Sequence, residues 1–191
     1  MSLRVVHAAC KIERSNDLNE SRLLLLLRAA GAGRGRTAAV DGIMKLAKMD
    51  FLLRYPEALG RALEVMAKDS PEARKAADAI PEEEKQTIEA KMIRFRYGPW
   101  DPLYRKWLSI LAAKRLILIY SQGATIKVSL TTSGKDIADR LVAKPEFATL
   151  GARAKAVNLA IGRLTGTEAK NLIYQIVPEL NGLKWGEEIN L

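Results

Sequence analysis

Residues 91–130, KMIRFRYGPWDPLYRKWLSILAAKRLILIYSQGATIKVSL, decide the predicted fold of this chain. The Gly and Pro residues near the start predict a turn, after which Asp101 is placed to cap a helix that begins at Pro102. Two runs of apolar and β-branched residues, 116–120 and 126–130, flank a short Gly-containing loop, which is the pattern of a β-hairpin. A helix followed by a hairpin with basic flanks predicts a winged helix. The apolar residues of the helix recur at helical spacing: Leu103, Trp107, Leu108, Leu111 and Ala112.

The segments on either side extend this pattern. Alternating apolar and basic residues at 91–97 predict a half-buried strand before the helix. After the hairpin, Ser133 and Asp136 occupy positions that resemble a capping box at the start of another helix. Trp100, Tyr104 and Trp107 could stack on unpaired bases together with Tyr97, but their helical spacing favours packing in the core.

The N-terminal half is predicted to be helical. Asn16 or Asp17 caps a helix that contains five consecutive leucines and ends at about Ala30. A second helix opens at Asp41 and ends before Pro56, which begins a third helix. Two short helices that meet at a sharp turn suit a helix-turn-helix core. Three basic residues mark the polar edge of the second helix: Lys45, Lys48 and Arg54.

The predicted fold class is mostly α with a small β-hairpin, a winged-helix core with additional flanking helices. Residues 1–17 form an N-terminal arm, and residues 18–142 form the winged-helix domain. Within that domain, the composition of residues 68–86 predicts an exposed insertion. Residues 143–191 form a C-terminal helical extension packed on the domain. Two apolar residues of its tail are expected to pack against the body: Trp185 and Ile189.

The formal net charge is +9, which favours a polyanionic partner such as DNA or an acidic protein surface. Residues 91–115 contain seven basic residues and one acidic residue, Asp101. The predicted helix offers few polar side chains that could read bases, so contact with the DNA backbone is expected. The alternative is that these charges solubilise the surface or pair with an acidic subunit. The candidate DNA-binding residues are Arg94, Arg96, Arg105, Lys106, Lys114, Arg115 and Lys127.

The residue types that carry most enzyme chemistry are scarce. His7 is the only histidine and Cys10 the only cysteine, so no catalytic residue, metal site or cofactor is predicted, and the chain is not expected to be an enzyme. A single cysteine fits a reducing compartment, and the longest apolar run, residues 23–27, is far shorter than the roughly twenty residues of a membrane span. A cytoplasmic protein without membrane contact is therefore predicted.

Two motifs resemble the middle component of bacterial ABC-three-component systems, to which the Lamassu-type anti-phage systems are related. They are residues 42–56 (GIMKLAKMDFLLRYP) and residues 92–101 (MIRFRYGPWD). Residues 130–134 (LTTSG) and Pro178-Glu179 extend the resemblance over residues 20–180, although the LTTSG piece is generic to winged helices.

The resemblance implies a small non-catalytic subunit encoded beside an SMC-like ATPase and an effector, often a nuclease. Such a subunit binds the ATPase heads, helps to sense foreign DNA and holds the effector inactive until it is triggered. The alternative is a stand-alone winged-helix transcriptional regulator, which would dimerise on a palindrome with half-sites about 10–11 bp apart.

Overall fold

The computed structural model describes residues 16–32, 39–85 and 90–191. The described chain is mostly helical with small antiparallel sheets, which confirms the predicted fold class at that level. The winged-helix assignment and the domain boundaries stay predictions. The α-helices are α1 (Asn16–Gly31), α2 (Ile43–Arg54), α3 (Pro56–Met66), α4 (Pro71–Asp78), α5 (Glu82–Lys85), α6 (Tyr104–Ala113), α7 (Thr132–Val142), α8 (Ala148–Ile161) and α9 (Gly166–Ile176). Two 3₁₀ turns, Pro145–Phe147 and Pro178–Asn181, follow α7 and α9.

The larger sheet contains the predicted hairpin. Strands β4 (Ile117–Gln122) and β5 (Thr125–Leu130) pair antiparallel, and β1 (Ala39–Asp41) adds to the other edge of β5. Since Gln122 lies opposite Thr125, the turn is only two residues long, shorter than the predicted loop. Gly123 has a φ of 60° in this turn, a conformation that glycine adopts without steric cost.

A smaller hairpin precedes α6. The predicted strand at 91–97 is confirmed as β2 (Ile93–Phe95), which pairs with β3 (Gly98–Trp100) rather than with the larger sheet. Of the residues 98–102 predicted to form a turn, Gly98, Pro99 and Trp100 form β3, and turns lie on either side of that strand, at Arg96-Tyr97 and at Pro102-Leu103. Pro99 is tolerated in β3 because this two-stranded sheet has only edge strands.

Three predicted helix starts were displaced. Asp41 ends strand β1, and Gly42, with a φ of 92°, makes the turn into α2. Asp101 accepts a hydrogen bond from the Leu103 N–H at 2.9 Å, so it caps a turn before α6, which begins at Tyr104 rather than Pro102.

The third displaced start is that of α7. Thr131, not Ser133, caps this helix by accepting the Gly134 N–H at 2.9 Å. A β-carbon at Gly134 would lie 1.8 Å from the Leu116 carbonyl oxygen, so glycine allows α7 to pack against the chain that enters β4.

The N-terminal helices are confirmed, while residues 1–15 of the predicted arm lie outside the described residues. Helix α1 begins at Asn16 and its leucines are buried in the main core. Helix α3 begins at Pro56 as predicted. The predicted polar edge of α2 was wrong: Lys45, Lys48 and Arg54 are all buried, because helices from both ends of the chain pack around α2.

The remaining segments agree with prediction in part. In α4 and α5 most side chains are exposed, but Ala73 is fully buried, so α4 rests on the body rather than leaving it. Ile189 is buried as predicted and bonds through its N–H to the Met92 carbonyl oxygen at 2.8 Å. Trp185 was predicted to pack on the body but is 63% exposed, with its ring centroid 6.2 Å from that of Phe95 in β2.

A charged cluster holds the centre of the fold. The Asp50 carboxylate, fully buried on α2, accepts hydrogen bonds from Arg22 Nε at 2.5 Å, from Arg54 Nε at 2.9 Å and from the Tyr104 hydroxyl. Burial alone raises the pKa of Asp50, but the charges of Arg22 and Arg54 outweigh it and hold the pKa at about 2. Both guanidinium groups also approach the Trp107 ring, with Arg22 at 5.9 Å and Arg54 at 5.5 Å from its centroid.

Replacing Asp50 should lower the free energy of unfolding by more than replacing an exposed residue does. Asp50→Asn leaves two buried guanidinium groups without their shared anion, so the free energy of unfolding should fall by about 3–5 kcal/mol. Urea denaturation at neutral pH measures this loss. The matched control is Asp69→Asn, an exposed residue whose change should cost less than about 0.5 kcal/mol. Equal losses in the two variants would contradict the role given to Asp50.

Candidate nucleic-acid interface

Two of the seven predicted DNA-binding residues are ion-paired within the chain, and a third is half-buried. Lys114 Nζ lies 2.6 Å from the carboxylate of Glu20. Lys127 Nζ lies 2.8 Å from Asp41 across the β1–β5 pair. Arg94 is half-buried in β2, where its backbone bonds to the C-terminal segment at Gly186 and Glu187. Lys114 and Lys127 are therefore weaker candidates for phosphate contact, whereas the Arg94 Nε atom is buried without a hydrogen-bond partner among the described residues.

The other four predicted residues are exposed: Arg96, Arg105, Lys106 and Arg115. Within the described residues, no carboxylate lies at ion-pair distance from any of them. Tyr104 and Trp107 face the core from α6, so Arg105 and Lys106 project from its outer face. Their charges are available to a partner.

Two of these four have a distinctive local geometry. The Arg96 guanidinium lies over the Tyr97 ring, 5.4 Å from its centroid. Arg115 has a φ of 55°, in the left-handed region, where it turns the chain from α6 into β4.

A basic groove opens beside this surface. It has a volume of about 990 Å³ and is enclosed by the β4–β5 turn, the first turn of α2, the β2–β3 hairpin, Arg105 and the N-terminal end of α9. Tyr97 and Trp100 line one side, and Thr165, Gly166 and Thr167 line another. The basic residues that line the groove are Lys45, Lys48, Arg105, Lys127 and Lys170.

Lys48 is the most deeply buried cation of the groove. Its side chain is 2% exposed, and its Nζ donates to the Met44 carbonyl oxygen at 3.0 Å. Burial, together with the positive charge of Lys170, lowers the pKa of Lys48 to about 8. Lys45 donates to the Gly162 carbonyl oxygen at 2.9 Å, and burial lowers its pKa as well.

Two carboxylates lie close enough to the groove to act on its lysines, and each already has a bonding partner within the chain. Asp41 is paired with Lys127. Glu168 accepts the Thr165 N–H at 2.7 Å in the capping box of α9, and that hydrogen bond lowers its pKa. Both carboxylates favour the charged form of Lys45, whereas the charge that acts on Lys48 is the positive charge of Lys170.

Comparison of the chain with protein families, with curated proteins and with solved structures gives no match. The site must therefore be interpreted from its own residues. None of the helices in the described ranges combines the length and the apolar character needed to cross a bilayer. In the same ranges, no group of three or more His, Cys, Asp or Glu residues is placed to hold a metal ion. His7 and Cys10 lie outside the described residues.

Sequence reasoning identified part of this surface. Arg105 and Lys127 were predicted and line the groove, whereas Lys45, Lys48 and Lys170 were missed. The missed lysines come from two helices more than a hundred residues apart in sequence, so only the tertiary packing brings them together. The core positions predicted for Tyr104 and Trp107 are confirmed, and Tyr97, 45% exposed, stands at the groove.

Replacing Lys48 by an apolar residue of similar length should stabilise the chain. Lys48→Met removes a buried ammonium group, so the free energy of unfolding at pH 7 should rise by about 1–3 kcal/mol. A lysine pKa lowered from 10.5 to about 8 means that the folded chain releases this proton first, so the wild type gains stability as the pH rises from 8 to 10.5. The advantage of Lys48→Met should therefore shrink across that window.

Urea denaturation of both proteins at pH 7, 8, 9 and 10 checks this prediction, and Lys155→Met, at an exposed position of α8, is the control. A loss of stability in Lys48→Met, or a constant difference at all four pH values, would contradict it.

Proposed function

We propose that this chain is a non-catalytic accessory subunit of an SMC-like ATPase complex in anti-phage defence. In this proposal it contacts the DNA backbone and bridges the ATPase heads to an effector in the cytoplasm. The observation that carries the DNA contact is the set of exposed cations without carboxylate partners on α6 and the adjoining turns. The resemblance of residues 42–56 and 92–101 to the middle component of such systems supports the complex.

The distribution of side chains favours backbone contact over sequence recognition. The exposed positions of α6 hold Arg105, Lys106, Ser109 and Ala113, and Ser109 is the one neutral hydrogen-bonding side chain among them. Reading bases requires several donors and acceptors on the exposed face of a recognition helix. Ammonium and guanidinium groups instead neutralise phosphates, and they do so irrespective of sequence.

The β4–β5 hairpin supplies a second surface that supports a protein partner. β4 is an edge strand of the sheet as far as the chain is described, and its apolar residues after the buried Ile117 are exposed. Leu118 is 55% exposed, and Ile119, Tyr120 and Ile126 are exposed beside it. An unpaired strand with apolar side chains is a common binding surface for another chain. A subunit of a larger complex would cover such a surface.

Removing the exposed cations should weaken DNA binding uniformly across sequences. The triple variant Arg96→Ala, Lys106→Ala, Arg115→Ala removes three contacts with phosphates. The slope of log K against log salt should become shallower by about 2–3, and affinity at 0.1 M salt should fall about tenfold or more. Fluorescence anisotropy with two unrelated duplexes, titrated between roughly 50 and 200 mM NaCl, gives both quantities.

The control removes the same number of charges from exposed lysines elsewhere: Lys75→Ala, Lys144→Ala and Lys155→Ala. If both triple variants lose affinity equally, overall charge and not this surface governs binding. Unchanged affinity in the first variant would reject the proposed contact.

Co-expression tests the complex. Expressed with the products of the genes that flank its own, the chain should co-purify with the ATPase in a defined ratio. The double variant Leu118→Asp, Tyr120→Asp should reduce that recovery at least severalfold if the β4 edge is the contact, whereas Thr132→Asp, at an exposed position of α7, should not. Isolation as a stable dimer that selects a palindromic DNA site would instead identify a transcriptional regulator.

A further inference from the structure

The groove differs from the exposed cationic surface in how its charges are held. Arg96, Lys106 and Arg115 are on open surface, where water and salt screen them. Lys48 is almost completely buried, and its Nζ bonds to a neutral carbonyl oxygen. Keeping an ammonium group out of water without an anion costs free energy. The groove is therefore prepared for an anion that the described residues do not provide.

The N-terminal end of α9 also favours an anion in the groove. Thr165, Gly166 and Thr167 line the groove at the N-terminal end of the helix, where the helix dipole favours negative charge. The Thr165 hydroxyl accepts the Glu168 N–H within the capping box. A β-carbon built on Gly166 would meet no atom within 4 Å, so the groove is open at this point. Lys170, one turn further along α9, lines the same groove.

Part of the groove lining is aromatic. Tyr97 is 45% exposed there, and Trp100 lies beside it. The Arg96 guanidinium on the Tyr97 ring leaves part of the side chain exposed. Aromatic rings next to cationic groups match the two parts of a nucleotide, because a base stacks on the ring while its phosphate contacts the cations.

We propose that this groove is a phosphate-binding site in which Lys48 and Lys170 contact the phosphate of a nucleotide and Tyr97 contacts its base. A phosphate group has several oxygens and can accept hydrogen bonds from both ammonium groups together. The nucleotide comes either free from solution or as part of a nucleic-acid strand. The proposal rests on the proposed function in the second case only.

Isothermal titration calorimetry of the full chain with inorganic pyrophosphate, adenosine monophosphate and an unphosphorylated single-stranded oligonucleotide tests the site. We expect pyrophosphate to bind, and Lys48→Met and Lys170→Ala each to weaken its binding at least tenfold. The exposed control Lys155→Ala should bind as the wild type does. Tyr97→Leu should weaken adenosine monophosphate and leave pyrophosphate unchanged, which separates the contact with the base from the contact with the phosphate.

The source of the nucleotide follows from competition. If the oligonucleotide displaces pyrophosphate while adenosine monophosphate does not, the phosphate belongs to a strand, and the reverse result identifies a free nucleotide. Absence of pyrophosphate binding, or equal binding by wild type, Lys48→Met and Lys170→Ala, overturns the proposal. Circular dichroism of each variant confirms that it is folded, and Lys170→Ala changes an exposed residue.

The two proposals fail in different ways. The triple variant of Arg96, Lys106 and Arg115 changes no predicted phosphate contact of the groove, so loss of duplex binding with normal pyrophosphate binding supports both proposals. Normal duplex binding in that variant with loss of pyrophosphate binding in Lys48→Met rejects only the surface contact. Arg105 lines the groove and is also exposed, and it is therefore left unchanged in every variant.

Discussion

The ion cluster around Asp50 is the constraint on which the rest of the structure depends. It joins α1 through Arg22, α2 through Asp50 and Arg54, and α6 through Tyr104. A buried guanidinium is tolerated only with an anion and further hydrogen bonds. Arg22 meets this requirement with Asp50 and the Asn19 side chain, and Arg54 meets it with Asp50 and Asp101. These bonds tie the three helices together, and displacing any one of them would leave a buried charge without its partner.

This arrangement also orients the candidate interface. Since Tyr104 donates to Asp50 and the Trp107 ring lies near both guanidinium groups, the opposite face of α6 must present Arg105 and Lys106. Tyr55, the residue that follows α2, accepts the Met92 N–H at 2.8 Å and donates to the Ile189 carbonyl oxygen at 3.0 Å. It thereby holds the β2–β3 hairpin, and with it Arg96 and Tyr97, against the body. The basic surface is a consequence of the polar bonds within the core.

Local sequence patterns predicted the secondary structure well, but they did not predict which charged residues are buried. Helical spacing and β-branched runs identified α1, α3, α6 and the β4–β5 hairpin, because these signals lie within short windows. Strand β1 was missed because its three residues form a strand only by pairing with β5. The lysines of α2 were predicted to form its polar edge, since a charged residue is rarely buried. These lysines are buried because α8 and α9 pack against α2, and a local sequence pattern cannot predict contacts between segments so far apart in the chain.

The two kinds of buried cation in this chain have opposite environments, and the difference is informative. Arg22 and Arg54 share the carboxylate of Asp50, and Arg54 also pairs with Asp101, so two carboxylates balance the two guanidinium charges. Lys48 is equally removed from water but is bonded to a carbonyl oxygen and repelled by Lys170. The same chain therefore supplies a carboxylate to its two buried arginines but none to Lys48, which lines an open groove. Because an apolar residue would fit there at lower free energy, the ammonium group is best explained by an anion that enters the groove from outside.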